Sequence, residues 1–119
     1  MVKKINSREK GKRGEREWAK ICREQGFTAV RRGQQYSGVE GKDIVGLPKI
    51  HTEVKRVQRL NISNAMKQAI GDAKNDEIPI VAHRKDREEW LITMLATDWF
   101  EFYKAWLEKT FKKGDNQGG

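Results

Sequence analysis

The chain is predicted to be a single α/β domain with a central mixed sheet flanked by helices. Three observations predict this. Apolar residues recur at helical spacing in three separate segments. Five short segments rich in β-branched residues lie between them, punctuated by Gly, Pro, Asn and Asp. Their order is helix, three strands, helix, two strands, helix (αβββαββα), which suits a layered α/β domain. A length of 119 residues fits one such domain. We expect it over residues 14–113, with a flexible basic arm at 1–13 and a disordered tail at 114–119.

The first helix is expected over residues 12–25. Trp18, Ile21, Cys22 and Gln25 follow helical spacing, and Gly26 is a stop signal. Glu15 stands one turn before Trp18 on the same stripe, an odd place for a carboxylate without a task. Residues 27–32 read as a strand and 33–42 as a polar loop. Asp43-Ile44-Val45 reads as a short strand closed by Gly46 and the Leu47-Pro48 turn, and residues 50–56 as a longer one. Ser63 is a candidate cap for a helix over 64–74, with Ala65, Met66, Ala69, Ile70 and Ala73 inward. Residues 79–83 and 90–95 read as strands joined by the charged turn 84–89. Thr97 is a candidate cap for a last helix reaching residue 112. Its Trp99, Phe102, Tyr103, Trp106, Leu107 and Thr110 form an apolar band. That band suits either an intrachain core or a dimer interface.

Charge is unevenly placed. The net charge is +8, and residues 1–34 carry 11 Lys+Arg against 4 Glu. A basic first third on a near-neutral body suggests a polyanion, with nucleic acid favoured over a membrane surface. Cys22 is the only cysteine, so an intrachain disulfide and a thiolate zinc site are excluded. It reads as a small core residue. With no signal peptide and no membrane-length apolar run, a reducing cytoplasm is the expected compartment.

The stretch that carries chemistry is Gly41-Lys42-Asp43-Ile44-Val45-Gly46 followed by His51-Thr52-Glu53-Val54-Lys55. Residues two apart on a strand share a face, so Glu53 and Lys55 point the same way, roughly 7 Å apart at Cα. Ile50, Thr52 and Val54 point the other way. Asp43 joins them if its strand pairs with theirs through the turn at 46–49. Phosphodiester cleavage adds negative charge to a group that already carries one. Carboxylates that hold a hard cation, together with a lysine point charge, answer that need. Asp43 and Glu53 are the candidate direct ligands, the Val54 carbonyl another, and Glu15 completes the set.

This ordered pattern resembles the PD-(D/E)xK nuclease superfamily, and within it the archaeal-type Holliday junction resolvases and their phage relatives. The resembling residues are 10–17 (Lys-Gly-Lys-Arg-Gly-Glu-Arg-Glu), 26–32, Ser37-Gly38, Asp43-Ile44-Val45 and Glu53-Val54-Lys55. Lys42 stands where the family pattern has proline. The resemblance implies a restriction-endonuclease-like core and Mg²⁺ as cofactor, with Mn²⁺ as a substitute. It also implies Glu15, Asp43, Glu53 and Lys55 as catalytic residues. It further implies DNA contacts by Arg16 and Arg32 and a catalytic or phosphate-contacting role for Ser37. Lys10, Lys12, Arg13 and Arg31 add candidate DNA contacts. Gln68, on the next helix, is a further candidate, and residues 60–74 look like the phage branch.

Plainer readings stand beside these. Glu53 and Lys55 alone suit a solvated strand face, and Glu15 suits a helix N-terminus. His51 reads as a satisfied surface histidine or a metal ligand, and His83 has no evident role. Three functions are weighed: a Holliday junction resolvase, a less selective nuclease of the superfamily (phage DNA processing or restriction type), and a non-catalytic DNA-binding module. Retention of every acidic residue argues against the third. Small size and the resemblance favour four-way or branched DNA as substrate, and paired cuts on such a junction favour a homodimer.

Overall fold

The computed structural model describes residues 7–33 and 43–118. Ser37 and most of the expected 33–42 loop, the first six residues of the basic arm and Gly119 lie outside the described residues. The elements are α1 (Ser7–Glu24), β1 (Arg31–Arg32), β2 (Ile44–Val45), β3 (Ile50–Arg56), α2 (Ile62–Asp72), β4 (Ile78–Arg84), β5 (Leu91–Met94) and α3 (Ala96–Gly118). Their order is the expected αβββαββα.

Strands β3, β4 and β5 form one sheet in that order, with β3–β4 parallel and β4–β5 antiparallel. The parallel pair requires a crossover, and α2 is that crossover. Strand β4 is central, and its Pro79–Ala82 stretch is buried throughout, as a strand covered on both faces requires. Strands β1 and β2 make a separate antiparallel pair. Helix α1 lies over β3 on the face of Val54, where Ala19, Cys22, Val30 and Ile44 close one core cluster. Helix α2 covers the opposite face, where Ala65, Met66 and Ala69 meet Val81.

Several local expectations are corrected. Helix α1 starts at Ser7, so Lys10, Lys12 and Arg13 ride on a helix rather than on the arm. Residues 27–30 curl instead of extending, with Val30 N–H donating to the Phe27 carbonyl at 3.1 Å. Gly46 passes so close to Ala29 that a Cβ on it would sit 2.5 Å from the Ala29 oxygen. Helix α2 is capped by Asn61, whose side chain accepts from Asn64 N–H, and Ser63 lies inside the first turn. Ile70 is exposed. Helix α3 starts at Ala96, which places Thr97 inside it.

The aromatic band of α3 is no intrachain core. Trp99, Phe102, Tyr103 and Trp106 are all exposed. Only Trp18 and Trp90 among the four tryptophans pack on the core, their rings 5.2 Å apart.

Candidate functional site

Helix α1 reaches the sheet at Gly14. A Cβ there would lie 2.9 Å from Cβ of Arg56 and 3.6 Å from Val54. That close approach carries the next residue, Glu15, to the open end of β3. Glu17, two residues on, fastens the helix. Its carboxylate pairs with Arg84, accepts from Trp90 Nε1 at 3.0 Å and sits 3.2 Å from Arg56 Nε. Strand β4 and the segment before β5 are thereby tied to α1.

Glu15, Asp43, Glu53 and Lys55 line one hollow, together with Lys10 and Gln68. Three separate elements and the start of β2 therefore converge as expected. The route for Asp43 differs from the expected one. No ladder joins β2 to β3. Instead, Asp43 Oδ2 accepts the backbone N–H of Val54 at 2.8 Å. In an extended strand the N–H and C=O of one residue point to the same side, so the Val54 carbonyl also faces Asp43.

Glu53 is 1% exposed, which removes the solvated-face reading for it. In register it lies opposite Val81 of β4, on the face that α2 covers. Two helices on two faces explain why residues 51–54 are all buried. Lys55 lies nearer the rim, half-buried.

The electrostatics are those of crowded anions. Burial raises the Asp43 carboxyl to about 7, the Val54 N–H opposes that rise, and the charges of Glu53 and Glu15 add to it. Glu15 is also raised, chiefly by burial, against the lowering effect of Arg32. Arg32 Nε donates to Glu15 Oε1 at 2.9 Å. Of the two strand arginines, Arg32 thus faces the site and Arg31 is exposed. Arg13 and Arg16 are exposed on α1.

His51 is not a surface histidine. It is 2% exposed, its Nε2 lies 3.3 Å from Glu53 Oε1, and its Nδ1 is buried without a partner. Asp72, at the end of α2, completes a group with His51 and Glu53 whose ligand atoms all lie within 4.8 Å of one another. This group could hold a metal ion. Asp72 was missed in the sequence because nothing local links it to β3. Its place four residues after Gln68, one helical turn along α2, is the only signal that points to it. His83, by contrast, links two strands, its Nε2 lying 2.8 Å from Thr93 Oγ1.

No known family pattern, characterised protein or solved structure matches the chain. Among the described residues, no helix is long and apolar enough to cross a membrane.

Proposed function

We propose that this chain is a Mg²⁺-dependent DNA endonuclease with a restriction-endonuclease-like core of the PD-(D/E)xK type, acting on four-way or branched DNA as a Holliday junction resolvase. One observation carries the reading: Glu15 from α1, Asp43 before β2, and Glu53 and Lys55 from β3 line a single hollow.

The donor set fits a hard divalent cation. Asp43, Glu53 and Glu15 offer carboxylate oxygens and Val54 a backbone carbonyl, the ligand types Mg²⁺ takes. Burial first, and the charges of Glu53 and Glu15 after it, raise Asp43, so a cation there would be welcome. When bound, Mg²⁺ (or Mn²⁺ in its place) neutralises phosphate charge and makes a water more acidic. Asp43 and Glu53 would hold the cation. Arg32 holds Glu15 in position, and the Val54 N–H does the same for Asp43. Lys55 brings a point charge to the rim, where it can hold the attacking water or the charged phosphate oxygen. Lys10, Lys12, Arg13 and Arg16 place positive charge along α1 for the DNA backbone.

The test is cleavage of a synthetic four-way junction beside matched duplex, flap and single-stranded DNA, in Mg²⁺ and in EDTA. Paired nicks on the junction in Mg²⁺ alone are expected. Equal cutting of every substrate would make the chain a less selective nuclease. Full activity in EDTA, or binding to DNA without cleavage in any metal, would overturn the reading.

A further inference from the structure

Helix α3 projects from the body with its apolar face uncovered. The chain measures 70 Å along its longest axis and 33 by 29 Å across. A helix of 23 residues is about 35 Å long, half of that length. Along it the rings of Trp99 and Tyr103 stack at 5.2 Å, and those of Tyr103 and Trp106 at 6.1 Å. Trp106 is 60% exposed. Scattered surface aromatics are ordinary, but a contiguous ladder of them marks an interaction surface.

The spacing of α3 identifies what the ladder fits. Trp99, Phe102 and Trp106 recur at intervals of three and four, the seam of a paired helix. Asp98, Ala105 and Lys112 recur every seven residues along one edge of that seam. Asp98 and Lys112 stand seven residues either side of Ala105. In an antiparallel pair of identical helices this edge meets itself. Asp98 then opposes Lys112 of the second copy, Ala105 opposes Ala105, and Lys112 opposes Asp98. The same register sets Phe102 against Trp106 and Tyr103 against Tyr103. A parallel pair sets Asp98 against Tyr103 and gains no ion pair. Lys112 now pairs with Glu108 at 3.2 Å, both residues well exposed, a contact that is easily exchanged.

We infer that α3 is a homodimerisation helix that pairs antiparallel with α3 of a second copy, through the Trp99–Phe102–Trp106 seam and reciprocal Asp98–Lys112 ion pairs. Trp99, Phe102, Tyr103 and Trp106 are each about half exposed, so they present on the order of 400 Å² per copy. With Leu95, Leu107 and the lysine stems, the pair covers about 1,000 Å², where specific interfaces begin. The inference stands apart from the proposed chemistry and is tested without it.

Sedimentation of the full chain at micromolar concentration should give a dimer, and Trp106→Glu, at an exposed position, should give a folded monomer. Asp98→Lys and Lys112→Asp should each weaken self-association about tenfold, because each sets like charges together twice. Mixing the two variants should restore wild-type affinity in a heterodimer, because both opposed pairs are then of opposite charge. A wild-type chain that stays monomeric at about 100 μM would overturn the inference. So would variants that dimerise like wild type, or a mixture that shows no recovery. A monomer that binds lipid vesicles or single-stranded DNA through its tryptophans would equally overturn it.

Discussion

Val54 donates its backbone N–H to Asp43 Oδ2 at 2.8 Å, so a carboxylate outside the main sheet is tied to the strand that carries Glu53 and Lys55. The bond brings Asp43 into a buried, anion-rich hollow where its ionised form is disfavoured. Function and stability are therefore opposed at this residue.

Asp43→Asn should separate the two. It should abolish Mg²⁺-dependent cleavage while DNA binding persists, since the amide oxygen can still accept from Val54. The folded carboxyl sits at about 7 against an ordinary 3.8. A raised acid holds its proton longer in the fold, so it favours folding below pH 4 and that advantage is lost as pH rises to 7. The metal-free wild type should thus weaken over this window and the variant should not. Above pH 7 the variant should be the more stable by on the order of 2 kcal/mol. Thermal unfolding in EDTA at pH 5 and pH 8 checks the sign.

Glu15 and Glu17 are neighbours with different tasks. Glu15→Gln should slow cleavage about 10- to 100-fold with little change in stability. Glu17→Gln should leave the rate of the folded protein near wild type. It should cost about 1–3 kcal/mol, because Arg84 and Arg56 lose the negative charge they share, although an amide oxygen remains to accept from Trp90. Single-turnover rates and denaturant titrations on both variants separate the effects.

Gly14→Val should push α1 off β3, costing about 1–3 kcal/mol and drawing Glu15 from the hollow. Gly11→Ala meets nothing within 4 Å and should gain up to ~1 kcal/mol from helix propensity. A stable, fully active Gly14→Val protein would refute the close-approach argument.

The metal groups can be ranked by substitution. Asp72 lies at the exposed end of α2, outside the hollow, so Asp72→Asn should retain Mg²⁺-supported cleavage that Asp43→Asn loses. Its effect should appear with Mn²⁺, whose affinity for mixed imidazole and carboxylate sites is higher. Calorimetric titration of each metal into both variants gives the ranking. The reverse order would move the metal centre to His51, Glu53 and Asp72.

Much of the fold was legible in local pattern. Alternation gave β3, and its ends agree with those expected; the helical stripe of Trp18 and Cys22 gave α1. Misreadings arose where local signals competed. Asn61 and Ser63 are both good caps, and the one that left Ile62 at the rim of the α2 cluster prevailed. Residues 27–30 have strand composition, yet the close passage of Gly46 beside Ala29 curls them.

By itself the sequence determined the order of elements, the shared face of Glu53 and Lys55, and the amphipathic character of α3, because each depends on neighbours a few residues away. Only the tertiary structure decided that Glu53 is buried beneath α2, that His51 and Asp72 gather around it, that Arg32 rather than Arg31 holds Glu15, and that nothing in the described chain covers α3. Those facts depend on which faces meet after a crossover. Burial, charge pairing and carboxyl affinity for protons are set by residues far apart in the chain, whereas periodicity reports only the side on which each residue stands.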